Sequence, residues 1–159
     1  MPGYSLTSPL SQKQRTVWSM INKGLSATAI AHKLDTSRQF VNQTKLAAET
    51  KLTRTLLDVA QANDLQVRNV YTKTGMLLGH HPGLGRNVIV TYSSIYGIKV
   101  WYWHDRPEEV TNEVFLKQTK IYLLDIAKER GVVVKDAQKM HPAKLAHIIF
   151  SELIPELKS

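Results

Sequence analysis

The sequence contains no cysteine, so disulfides, thiolate zinc sites and thiol nucleophiles are excluded together. No apolar run approaches the roughly 20 residues that carry a helix across a bilayer, and no membrane partner is expected. The first ten residues, MPGYSLTSPL, lack a basic start followed by an apolar stretch, so no signal peptide is read there. These absences together suit a cytoplasmic protein. Internal repeats and low-complexity segments are also missing from the 159 residues, a length that fits one ordinary domain or two small ones. Acidic residues are in deficit: 13 Asp and Glu stand against 21 Lys and Arg, for a net charge of +8.

The excess charge is not spread evenly. Residues 1 to 60 hold eight basic side chains against three acidic ones. The remaining 99 residues hold thirteen against ten. A basic surface is often merely solvated, so this asymmetry gains meaning only from the pattern it accompanies. That pattern is Leu25 to Leu52. Ile30, Ala31 and Leu34 form an apolar stripe at helical spacing, Asp35-Thr36-Ser37 interrupts it, and Val41, Ala48 and Leu52 resume it. Upstream, Ser11 caps a helix to Asn22 with Val17, Trp18 and Ile21 inside. Gly24 ends it, and Ser26 caps a second helix to Leu34. Two helices joined by a short turn, the second opening on polar side chains, is the arrangement that lays a helix in a major groove.

Leu10 to Leu52 resembles the helix-turn-helix of LuxR-type regulators and of sigma-factor region four. The likeness lies in Leu10-Ser11, Val17-Trp18, Lys23-Gly24-Leu25-Ser26, Ile30-Ala31, Leu34, Ser37, Val41 and Lys51-Leu52. Thr36-Ser37-Arg38 and Val41 are also similar to the archaeal Tfx regulators. Ala29 and Asp35 depart from the pattern, standing where an acidic residue and a glycine are usual. The resemblance covers about a quarter of the chain and implies duplex DNA binding and transcriptional control.

On this reading Arg38, Gln39, Asn42 and Gln43 read bases. Arginine bonds guanine O6 and N7 in two places, and amides do the same with adenine. Thr36, Ser37, Lys45 and Lys51 hold phosphates. No breaker follows Leu52. Leu56, Val59 and Ala60 continue the stripe, so the third helix extends to about Ala62 before Asn63-Asp64 stops it. So long a helix needs a partner, either the second half of the chain or its twin in a homodimer reading two half-sites.

From Leu65 the periodicity changes. Gln66 to Tyr71 reads as a strand, Gly75 to Gly79 as a short apolar piece, and His80 to Asn87 as a loop. Asn87 to Tyr92 and Ile98 to Trp103 form an aromatic hairpin. Arg106-Pro107-Glu108-Glu109 opens a helix to Arg130 with Val114, Ile121, Leu124 and Ala127 buried. Val132 to Val134 reads as an edge strand, and a last helix starts at His141-Pro142 with Leu145, Ile148, Ile149 and Leu153 inside.

The expected fold is therefore α+β. Residues 1 to 64 make a three-helix DNA-binding domain, and 65 to 159 a small antiparallel sheet packed with two helices, serving as effector or dimerisation domain. A small-molecule effector would find His80, His81, Arg86 and Trp103 as its candidate contacts. His104 and Asp105 add metal-ligating types to the two histidines, but no local spacing argues a metal site. Nothing argues catalysis or a cofactor either. Two other functions compete with DNA binding. An RNA-binding protein would stack bases on exposed Tyr92, Trp101 and Trp103. A small-molecule or metal sensor would use the part after Leu65.

Overall fold

Three serines set the starts of the first three helices. The computed structural model describes residues 8–103 and 113–158. The helix start expected at Arg106 to Glu109 lies outside these residues. Ser11 Oγ accepts from Gln14 N at 3.2 Å while Gln14 Oε1 accepts from Ser11 N at 3.0 Å, a reciprocal cap that opens α1 (Gln12–Asn22). Gly24, at φ 98°, turns the chain. Ser26 Oγ accepts from Ala29 N at 3.1 Å to start α2 (Ala27–Lys33). Ser37 Oγ accepts from Phe40 N at 3.0 Å to start α3 (Arg38–Ala62). Asp35, between α2 and α3, takes φ 52°. The turn thus keeps a left-handed residue without glycine, which aspartate tolerates better than most side chains.

Val17, Ile30, Ala31 and Val41 close the core where the three helices meet. The second half of α3 leaves that core and enters another. Leu56 and Ala60 pack with Leu65 and with Leu77, Val88 and Val90 of a four-stranded sheet. Its strands are β1 (Gln66–Tyr71), β2 (Met76–His81), β3 (Arg86–Ser93) and β4 (Gly97–Tyr102), antiparallel in chain order. Leu77 lies opposite Val90 in register, and Val90 opposite Val100. Val70, Leu77, Val88, Val90, Ile98, Val100 and Tyr102 therefore share the face that α3 covers. Between the two cores, Leu10, Trp18, Ala48, Leu52 and Tyr92 form a third cluster. Gly75 makes this junction possible. Its φ is 68°, and a Cβ there would lie 3.3 Å from both Trp18 Cζ2 and Tyr92 Cβ.

The chain accordingly divides into compact units Met1–Trp103 and His104–Ser159, and not after residue 64. The expected boundary cut through α3's own packing. The sheet is joined to the helix-turn-helix because the apolar stripe of α3 outlasts α1 and α2 and must be covered. The stretch expected as a loop from His80 to Asn87 shrinks to four residues, 82 to 85. β2 and β3 stay paired to His81 and Arg86 because Gly85, at φ 63°, closes the hairpin tightly.

The second unit holds α4 (Glu113–Glu129) and α5 (Pro142–Leu153), which pack on each other. Gly131, at φ 69°, ends the run after α4, and His141 Nδ1 accepts from Ala143 N at 3.1 Å to cap α5. Three expectations fail here. Leu123, Ile126 and Ala127 are the buried apolar residues of α4, whereas Val114 and Ile121 are 68% and 50% exposed. Ala127 is buried as expected and Leu124 is half-buried, but the apolar residues of α4 are spread around it, and periodicity alone misplaced the rest of the stripe. Residues 132 to 134 form no strand, and Val133 is 94% exposed. β-branched residues favour extended backbone but make a strand only where an edge is offered to pair with. Ile148, expected inside α5, is also 38% exposed.

Candidate nucleic-acid interface

The first two turns of α3 sort their side chains by face. Val41, Thr44 and Ala48 are buried. Arg38, Gln39, Asn42 and Gln43 are exposed and line one shallow, open surface together with Leu46. The spacing explains the grouping, since residues four apart stand nearly above one another on a helix. Among the described residues Arg38 has no carboxylate partner, so its guanidinium fork is available to a ligand. The surface offers one cation, three side-chain amides and an apolar edge, which can bond base edges and touch a methyl group.

The capping serine holds this surface in place. Ser37 Oγ accepts from Phe40 N and keeps its proton to donate outward. Ser37→Ala is expected to destabilise the protein by about 1 kcal/mol, read from a urea titration. A change indistinguishable from zero would mean the cap does not hold the reading turn.

A second cleft adjoins the first. Gln12, Lys13, Thr16, Asp35, Thr36 and Phe40 line it, between α1 and the turn. Lys13 Nζ lies 5.6 Å from the centre of the Phe40 ring, which keeps the cation beside the start of α3. Sequence reading placed Thr36 at a backbone contact but missed Gln12, Lys13 and Thr16. The available signal was Val17. It packs with Val41, so the α1 residues one turn before it must approach the head of α3.

Two expected phosphate contacts stand differently. Lys45 pairs with Glu49 at 3.9 Å, a loose surface pair that a phosphate can displace. Lys51 Nζ donates to Gln14 Oε1 at 3.2 Å. It sits about 18 Å along α3 from Gln39 and about 120° round, over α1 and away from the reading surface.

The candidate ligand residues do not converge. His80 and His81 are neighbours on β2, so they point to opposite faces. His80 Nδ1 lies 3.3 Å from Asn87 Oδ1. His81 Nδ1 accepts from Leu84 N at 3.1 Å, within the hairpin turn. Arg86 shares the face of His81, its register partner, while the Trp103 N–H donates to Asn87 O at 2.8 Å. Among the described residues no three metal-ligating side chains cluster. His104 and Asp105 lie outside them. Tyr92 is 1% exposed and meets Trp18 edge-on, with ring centres 4.9 Å apart. It is core, and the base-stacking role considered for it is overturned.

No family model, curated protein or solved structure matches the chain. None of the described helices is long and apolar enough to cross a membrane.

Proposed function

We propose that this chain is a sequence-specific, double-stranded DNA-binding transcriptional regulator that acts from the cytoplasm as a homodimer, by binding and without catalysis. One observation carries the reading. Arg38, Gln39, Asn42 and Gln43 stand together in solvent on a capped helix whose other face is buried. That grouping suits direct readout in a major groove, with the cleft of Lys13, Thr16 and Thr36 beside it for the backbone. The basic excess of residues 1 to 60 and the resemblance to LuxR-type and Tfx regulators support the same conclusion. RNA binding loses one of its three stacking rings to the core.

Selection from a randomised duplex pool tests it. Enrichment of a defined motif, bound at least about 10³-fold more tightly than random duplex at physiological salt, is expected. Failure to enrich, or equal competition by single-stranded RNA, would refute it. Within this reading Lys13→Gln weakens binding to all duplexes by a similar factor. It lowers the slope of log affinity against log salt by about 0.9, because one fewer phosphate is neutralised. A loss confined to the selected motif would show that Lys13 meets bases instead.

A further inference from the structure

The outer face of α3 carries a second pattern. Gln39, Gln43, Leu46, Thr50, Thr53 and Leu57 follow one another by alternating steps of four and three, the spacing of a coiled-coil seam. Up to Gln43 the seam is amide. From Leu46 onward it is Leu, Thr, Thr, Leu. Leu46 is 66% exposed and Leu57 40%, and with Glu49, Thr50 and Arg54 they line one shallow surface bordered by Thr72 of the β1–β2 turn, while Thr53 is half-buried with its hydroxyl oxygen turned inward. The core of this unit is already closed by the other face, through Val41, Ala48, Leu52, Leu56 and Ala60.

Charge identifies the occupant and its direction. Glu49 and Arg54 flank the seam on opposite sides, five residues apart. In a parallel pair of identical helices the residue before one core position faces the residue five further along the other chain. Glu49 of each copy then meets Arg54 of the other, twice, by symmetry. In an antiparallel pair like flanks face each other, and neither charge meets its opposite. Glu49 keeps Lys45 on its outer side in both cases.

We infer that α3 pairs in parallel with α3 of a second copy along Leu46, Thr50 and Leu57, with Thr53 at the inner edge of the seam. Three exposed side chains bury far less than the roughly 800 Å² per partner of a standard stable interface. The pair is therefore weak in free protein and strengthens when two heads are held close. Resting on the DNA-binding reading, one consequence follows. The two reading tips lie side by side, and half-sites abut across a dyad instead of standing a helical turn apart.

The absence of cysteine makes the test direct. Leu46→Cys, Thr50→Cys and Leu57→Cys are oxidised singly in the full chain without DNA, against Thr28→Cys, exposed on α2, as the control. A disulfide needs Cα atoms within about 7 Å, which symmetric seam positions satisfy in a parallel pair. Each seam variant is expected to self-link at least about tenfold faster than the control. Glu49→Arg should slow linkage of Thr50→Cys, and adding Arg54→Glu should restore it, with thermal melts unchanged. Linkage no faster than the control overturns the pairing. Linkage of Leu46→Cys only when mixed with Leu57→Cys overturns the parallel direction. Because no DNA is present, either failure leaves the duplex-binding reading intact, and a failed duplex selection leaves the pairing intact.

Discussion

Trp18→Ala is expected to destabilise the unit Met1–Trp103 by about 3–5 kcal/mol, a large fraction of the roughly 5–15 kcal/mol that holds an ordinary domain together. Trp18 is 2% exposed and lies in the cluster that joins α1 and α3 to β3 through Leu52 and Tyr92. Removing it leaves a void walled by three elements that are tied elsewhere and cannot all collapse into it. The midpoint of a urea titration should fall sharply with the slope unchanged. The same geometry predicts that residues 1 to 64 alone do not fold cooperatively, because the cut uncovers Leu52, Leu56 and Ala60. Residues 1 to 103 should melt as one unit. If the helix-turn-helix were independent of the sheet, the short fragment would fold cooperatively by itself.

Arg38→Ala and Asn42→Ala should each weaken binding to the selected duplex by about 1–3 kcal/mol; standing one helical turn apart they are neighbours, so the double variant should depart from the sum by a coupling of about 0.5–3 kcal/mol. At 1.4 kcal/mol per tenfold, each single variant loses between about 5-fold and about 140-fold. The two singles differ in a way that assigns their roles. Asn42 carries no charge, so Asn42→Ala should leave non-specific affinity and the salt slope unaltered while relaxing preference at one base pair. Arg38→Ala should relax a different base pair and also lower the slope slightly. Titrations on selected and scrambled duplexes at two salt concentrations separate these outcomes. Variants that bind the selected duplex as tightly as the parent chain, or that lose specific and scrambled binding equally, would remove both residues from base reading. Read beside Lys13→Gln, the set divides the surface into groups that select sequence and groups that hold the backbone.

The helix starts were legible because their cause is local. Ser11, Ser26 and Ser37 cap through bonds to N–H groups three residues away, and such short-range chemistry is written in the order of residues. The polar face of Arg38, Gln39, Asn42 and Gln43 was legible for the same reason, since a 3.6-residue repeat alone groups them. The reach of α3 to Ala62 followed from the absence of any breaker.

Long-range packing was not written there. Nothing in the order of residues states that Leu56 and Ala60 would be covered by β2 and β3, so the domain boundary was placed inside a continuous core. The α4 stripe and the valines 132 to 134 failed similarly, because which apolar residues are buried depends on what the chain brings against them. The separation of His80 from His81 needed only strand alternation, but that alternation was hidden while the stretch was read as a loop. Local bonds and periods set where this chain turns and which side chains share a helix face. The joining of helix-turn-helix and sheet around Trp18 and Tyr92 arises from contacts between residues more than seventy apart, which exist only once the chain is folded.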